Sequence, residues 1–310
     1  MKHILLILLS LFITITSNVS LSEERYPVIE VMNGIYLHQG IHQDANRENY
    51  GAIANVGFIV GEKCIAVIDS GGSYKEGQLL LKAIQRTSSL PICYVINTHV
   101  HPDHILGNAA FKSSNVRFVG HEKLPAALAA RKSYFEEVFK EILGPAYEGA
   151  EFIAPSITVK IDEPITLDLG NRKLTLTAYT TGHTDHDLTV LDHQTKTLWT
   201  GDLLFVDRIP VMDGSINGWI KIMDKLKSMD LNAVIPGHGN PNKNDWQHDI
   251  EKQQHYFVTL REQIRLIIYD LGTIKEASTT VGLEERPKWE LFEHYHRRNI
   301  TASFVELEWE

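Results

Sequence analysis

Cysteine is nearly missing, and two residues in 310 cannot build the dense disulfide framework of a small secreted scaffold. Proline and glycine are also sparse, at 11 and 21. With 43% hydrophobic and 22% charged residues, this excludes collagen-like, low-complexity and disordered chains. Positive charge is in deficit: 30 Lys and Arg face 39 Asp and Glu, for a net charge of −9 and a pI near 5.9. Such a chain offers no basic footprint to a phosphate backbone, and nucleic acid is excluded as a partner. No repeat and no low-complexity linker interrupts it. What remains is an ordinary globular sequence, long enough for one large α/β domain or two modest ones.

One long apolar run exists, at the start. Met1-Lys2-His3 is followed by residues 4–15, apolar except for Ser10 and Thr14. Twelve residues are too few to cross a bilayer core of about 30 Å as a helix. The small polar stretch 16–22 follows, so the segment reads as a signal peptide cut after Ser22, and the mature chain as periplasmic or secreted with no stable membrane span. The expected organisation is a signal peptide over 1–22, a catalytic domain over 23–245 and a helical extension over 246–310 packed on that domain. Cys64 and Cys93 both sit in apolar runs that read as buried strands; an oxidising compartment would permit a disulfide if those strands are adjacent, and two inert core thiols are the expectation.

Strand and helix patterns alternate along the chain. Residues 35–37, 55–60 and 64–68 read as a β-meander. An amphipathic helix over 74–86 and a strand over 92–96 then make a strand, helix, strand unit. Ligands bind beyond the carboxyl ends of strands in such units, which points to the loop after Ile96. A short strand at 116–119 and a helical stretch at 121–143 complete the first half. Strands at 165–167, 173–179, 188–191 and 197–200, a helix over 215–228 and a strand at 233–235 form the second. Helices are expected over 244–271, 273–279 and after Pro287. Two halves joined internally by short hairpins predict an α/β fold of the αββα sandwich type with C-terminal helices, in preference to one doubly wound sheet.

Against these scarcities stands an excess of histidine, 15 residues, and they cluster. The loop after Ile96 reads Thr98-His99-Val100-His101-Pro102-Asp103-His104. Four candidate ligands in six residues, on a loop where alternate residues point the same way, can split between two ions, His99 and His101 on one, Asp103 and His104 on the other. Thr181-Gly182-His183-Thr184, Thr200-Gly201-Asp202-Leu203 and Pro236-Gly237-His238-Gly239 read as three further loops after strands, each with a Gly that permits close backbone approach. His121, His193, His248, His255, His294 and His296 lack this context and are read as surface or capping residues.

HxHxDH, then Gly-His-Thr, Gly-Asp and Pro-Gly-His-Gly in that order resemble the metallo-β-lactamase superfamily, over roughly residues 35–240. The resemblance implies that His99, His101 and His183 hold one zinc, that Asp103, His104 and His238 hold a second, and that Asp202 bridges them. More narrowly, Gly182-His183-Thr184-Asp185-His186-Asp187-Leu188 and Gly201-Asp202-Leu203-Leu204-Phe205 resemble exported zinc metallohydrolases of quinoprotein relay systems, relatives of the SoxH proteins. A quinoprotein or cytochrome partner in the periplasm is thereby implied. An Asp at position 202 departs from the Cys of one β-lactamase subclass and the Ser of another. It matches enzymes resembling glyoxalase II, lactonases and processing ribonucleases. The last conflicts with the acidic charge, and Lys288, Arg297 and Arg298 read as a solvated helix face rather than a glutathione site.

The implied chemistry is hydrolysis of a small ester, thioester, lactone or amide by a hydroxide shared between two zinc ions, with Asp103 and Asp202 as the catalytic carboxylates. Asp69 and His186 are read as outer partners of metal-bound histidines, with loop capping and turn formation as their alternatives. The loop 42–49 is either a flap over the metal edge or a solvated hairpin. A non-hydrolytic accessory factor, a mononuclear-iron persulfide dioxygenase and a weak β-lactamase stand as other functions.

Overall fold

Four consecutive residues, Ile65–Ile68, are wholly buried, and they divide between two cores. Ala66 and Ile68 face one cluster while Ile65 and Val67 face another, as the two-residue period of a strand requires when both sheet faces are covered. This strand, β4, belongs to a seven-stranded sheet. The computed structural model describes residues 26–241 and 245–310, so the expected signal peptide lies outside the described residues.

The first sheet runs in chain order through β1 (Ile29–Met32), β2 (Ile35–His38), β3 (Val56–Val60), β4, β5 (Ile92–Ile96), β6 (Arg117–His121) and β7 (Ile157–Val159). It is antiparallel as far as β4 and parallel from there. The parallel strands are joined through α1 (Tyr74–Thr87), α2 (Pro102–Ile105) and α3 (Leu124–Leu143). The second sheet holds β8 (Ile165–Asp168), β9 (Lys173–Ala178), β10 (Leu188–Asp192), β11 (Thr197–Phe205) and β12 (Ala233–His238), in the order β12-β11-β10-β9-β8. Only β11 and β12 run parallel, with α4 (Ile216–Lys227) between them. Three helices follow: α5 (Trp246–Tyr269), α6 (Ile274–Thr280) and α7 (Phe292–Leu307).

The layers follow from where the apolar residues go. Ile35, Ile68 and Ile96 of the first sheet meet Leu176, Val190 and Trp199 of the second in one buried cluster. Leu80, Ala83 and Ile84 of α1 cover the outer face of the first sheet. Residues of α4 to α7, among them Trp219, Tyr256, Leu260 and Ile300, cover the outer face of the second. The αββα sandwich is therefore the observed architecture. Glu306 of α7 ties the last helix into it, accepting from Ser215 Oγ at 2.8 Å and from the Ile216 amide at 2.7 Å, at the start of α4. No helix among the described residues is long and apolar enough to cross a membrane.

Several sequence expectations need correction. Cys64 and Cys93 are not free thiols: they form a disulfide with Cα atoms 5.8 Å apart, because neighbouring parallel strands β4 and β5 bring them side by side. Gly201-Asp202 and Pro236-Gly237-His238 are not loops. They continue β11 and β12, with the irregular register of that pair absorbing Gly201 at a φ of 51°. His121 and His296 are buried rather than superficial. His121 Nε2 donates to the Tyr179 carbonyl and its Nδ1 accepts from the Lys123 amide, while His296 meets Tyr256 and the Val281 carbonyl. Strands β1 and β7 have no sequence expectation to match.

Candidate metal centre

β4, β5, β9, β11 and β12 all send their carboxyl ends to one edge of the sandwich. Buried Asn55 clamps the sheets together there: its amide nitrogen donates to the carbonyls of Pro236 at 2.9 Å and Gly239 at 2.7 Å. Thr98, just past β5, accepts from the Leu188 amide of the opposite sheet at 2.9 Å. The histidine-rich segment after β5 is half loop and half helix. His99 lies in a bend and His101 on extended chain, and Pro102 then opens α2, which carries Asp103 and His104. The change from extended to helical backbone aims the two pairs at different places.

All seven residues read as ligands converge in two groups: His99, His101, His183 and Asp202 in one, Asp103, His104 and His238 in the other. In the first, His101 Nδ1 lies 3.0 Å from His99 Nε2 and 2.9 Å from His183 Nε2, while Asp202 Oδ2 lies 3.6 and 3.4 Å from those two Nε2 atoms. In the second, Asp103 Oδ2 is 3.3 Å from His238 Nε2 and 3.8 Å from His104 Nε2. Asp202 Oδ1 is 3.4 and 3.0 Å from the same nitrogens. One carboxylate thus turns an oxygen to each group.

The outer hydrogen bonds decide which ring nitrogens carry protons. His183 Nδ1 donates to the Val211 carbonyl at 2.8 Å, His238 Nδ1 to the Ile53 carbonyl at 2.8 Å and His101 Nε2 to Asp213 Oδ2 at 3.1 Å. His104 Nδ1 donates to Asp69 Oδ2 at 2.8 Å. Thr98 Oγ1 gives its hydrogen to the same carboxylate and so accepts from His99 Nδ1 at 3.0 Å. Every ring therefore spends its N–H outward and presents a lone pair inward. Five lone pairs and two carboxylates facing each other in a buried space fit two cations, and His104 Nε2 and Asp202 Oδ1 are buried there without a hydrogen-bond partner.

Titration behaviour tells the same story. Burial pushes Asp202 up, yet the surrounding His238, His104 and His99 hold it well below the usual carboxylate range. Burial, aided by His104, drives His99 well below 6.5, and burial likewise brings His183 down to about 3. His104 is raised against the effect of burial, because Asp202, Asp69 and Asp103 surround it. In the metal-free chain a proton there fills part of a cation's role.

Asp69, expected as an outer partner, accepts from Thr98 N, Thr98 Oγ1 and His104 Nδ1, each at 2.8 Å. It does so from the left-handed region, at a φ of 55°. His186 is buried but bonds Asp185 at 2.6 Å and hydrogen-bonds none of the seven. The partner that sequence reading missed is Asp213. Burial pushes its carboxyl up, and the hydrogen bond and charge of His101 then bring it down to about 2. Its Asp-Gly dipeptide resembles any turn. Arg298, read as solvated, pairs with Asp213 at 3.4 Å and lines the cleft, whereas Lys288 pairs with Glu285.

Above the cluster lies a cleft of about 330 Å³, floored by His101, Asp103, Asp202 and His238. Asp44 and Ala45 of the 42–49 loop form part of its wall, and Asp44 holds that loop to α7 by bonding the Tyr295 hydroxyl and His294 Nδ1. The flap alternative for this loop accords with that placement.

A sequence profile described as "Metallo-beta-lactamase superfamily" matches residues 50–238. A type 2 metallo-beta-lactamase of Bacillus sp. (strain 170) is 24% identical over 206 residues, covering 64% of this chain and 72% of that protein. A linear primary-alkylsulfatase of Pseudomonas sp. (strain ATCC 19151) is 25% identical over 213 residues; the match takes in 57% of this chain but 40% of that one. Among solved structures, the inverting sec-alkylsulfatase Pisa1 from Pseudomonas sp. superposes with a TM-score of 0.69 at 18% identity. The match covers 90% of this chain and half of that one. A metallo-beta-lactamase from Pontibacter korlensis gives 0.59 at 17% identity, over 75% and 98%. At these identities the structural matches speak for the fold.

Proposed function

Since the chain belongs to the metallo-β-lactamase superfamily, a superfamily of metal-dependent hydrolases, we propose that it is an exported dizinc hydrolase of a small ester, thioester, lactone or amide. The observation that carries this reading is Asp202, whose two oxygens face two separate ligand groups. Zinc held by His99, His101, His183 and Asp202 and by Asp103, His104 and His238 would supply Lewis acidity and lower the pKa of coordinated water towards neutral. The chain's own groups do the rest. Asp202 keeps the two sites adjacent. Asp103 has an oxygen on the second group and also borders the cleft, so its carboxylate is the group placed to orient an attacking water and hold its proton. Phe205, Ile53 and Val211 line the cleft with apolar surface and limit the water that competes with substrate.

Export is supported by the Cys64–Cys93 disulfide, which oxidising compartments maintain. The link to a quinoprotein or cytochrome partner rests on the motif resemblance around Gly182 and Gly201. A carboxylate at position 202 favours general ester and lactone chemistry over an efficient β-lactamase. Zinc analysis of the purified chain, with a screen of thioesters, lactones, aryl esters and β-lactams, tests the proposal. The expected result is two zinc per chain and turnover of at least one ester class. Asp202→Ser should lower zinc content and turnover together. One iron with oxygen uptake, or two zinc without any turnover, would replace the hydrolase reading with the dioxygenase or accessory reading.

A further inference from the structure

Among the described residues the four most exposed large apolar side chains are Leu271, Trp309, Tyr269 and Leu266, at 91, 85, 84 and 65%. They stand at one corner. Leu266 and Tyr269 lie three apart on α5, turned away from its buried Leu260 and Ile264, and Leu271 follows the end of that helix. Trp309 follows α7, and its neighbour Glu310 takes Arg265 of α5 in a two-pronged ion pair, accepting from Nε and from Nη2 at 2.9 Å each. The ends of both helices are thereby fastened side by side. Trp199, Trp219, Trp246 and Trp289 are all buried, so Trp309 is the one exposed tryptophan.

A helix end in solvent has no use for such residues. A whole Tyr or Trp side chain offers about 150–250 Å², so the four leave roughly 600 Å² of apolar surface in water. That reaches the top of what a typical monomer exposes in one patch. A standard interface takes about 800 Å² from each partner and is a little over half apolar, which this corner can supply. The charges beside the patch carry both signs and are paired: Arg261 with Glu262 at 2.9 Å, and Arg265 with Glu262 at 3.3 Å and with Glu310. The chain as a whole is at −9 and repels its own kind, but a face that holds two arginines and two glutamates can complement itself.

We propose that this corner is the contact between two copies of the chain, packed about a two-fold axis with Leu266, Tyr269, Leu271 and Trp309 at its centre. A two-fold contact meets each residue twice, so Tyr269 and Trp309 supply four large rings to the buried core while the paired charges form the rim. Helix α7 gives Tyr295 and Arg298 to the metal cleft at least three helical turns, about 16 Å, before Trp309. The cleft therefore lies outside the contact, and the proposal is independent of the hydrolase reading.

Sedimentation of the purified chain between about 1 and 100 μM tests this, together with iodide quenching of tryptophan fluorescence over the same range. Twice the chain mass is expected at the upper concentrations. The quenchable fraction of the fluorescence should fall as the dimer forms, because Trp309 is the tryptophan open to iodide. Leu266→Asp and Leu271→Asp should each weaken association at least about tenfold without lowering the melting temperature of the monomer, since both side chains lie outside the core. A monomer throughout overturns the proposal. So does a dimer in which Trp309 stays quenchable, or one that both variants leave intact, because the contact is then elsewhere. A monomer that floats with phosphatidylcholine vesicles gives the patch to a membrane and overturns it equally.

Discussion

Asp69 touches no ligand group from the cleft side, yet three hydrogen bonds end on it. Through Thr98 it reaches His99 of one group, and directly it fixes His104 of the other. Asp69→Ala strands these donors in a buried place at a cost of about 1–3 kcal/mol each. We expect zinc affinity to fall about 10- to 100-fold, with a lower melting temperature for the metal-free protein as well. Competition with a chromogenic chelator and a thermal melt check both, and unchanged zinc affinity would leave Asp69 a loop cap only. The seven candidate ligands were legible at this scale because they occur in short strings where His, Asp and Gly coincide. Asp213 and Arg208 were not. A single acidic residue before Gly and a single Arg carry no pattern, and only folding shows that one meets His101 and the other faces a cleft.

Strands and helices were legible wherever burial repeats with a fixed period. Helix α1 was read as 74–86 and spans Tyr74–Thr87; β5 was read without error. The ends of β11 and β12 were misread because Gly201-Asp202 and Pro236-Gly237 look like turns. The two strands approach so closely there that a side chain on Gly237 has no room. A Cβ would stand 2.0 Å from Asp202 Oδ1 and 2.8 Å from the Asp202 amide nitrogen. Gly237→Ala must therefore push β12 off β11 and swing Asp202 out of place. The expected outcome is loss of at least one zinc per chain, by elemental analysis, together with a lower melting temperature. Two retained zinc ions would show that the spacing of these strands does not position Asp202.

For the whole molecule, the layer order followed from sequence but its fastenings did not. Cys64 and Cys93 were visible as strand residues, while their pairing depended on β4 and β5 being neighbours. Replacing both by Ala removes a cross-link between residues 29 apart, worth about 3–4 kcal/mol by loop entropy. A drop of several degrees in the melting temperature under oxidising conditions should result. If the wild-type melt is also unmoved by reductant, the bridge contributes nothing. A second fastening responds to acid. His38 is buried against Tyr26, with ring centroids 3.7 Å apart, and burial lowers its pKa from 6.5 to about 4. With the folded value depressed, its contribution is present in full above pH 6.5 and is lost as pH falls towards 4. Denaturant titrations of metal-free His38→Asn across that window should show a flatter pH dependence than the wild type; parallel curves would assign the acid sensitivity to other groups.

The cleft has two kinds of parentage. Its floor comes from the ends of β11 and β12 and from the start of α2, which Asn55 and Asp69 hold in place. Its rim comes from the 42–49 loop and from α7, joined by Asp44, with Glu306 as the distant bolt on α4. Insertions, deletions or exchanges in those two outlying segments can redraw what the cleft admits without disturbing a single ligand. On the hydrolase reading, divergence in substrate choice is mechanically separate from inheritance of the candidate metal centre, and laboratory evolution directed at the rim can begin from a floor that it never has to rebuild.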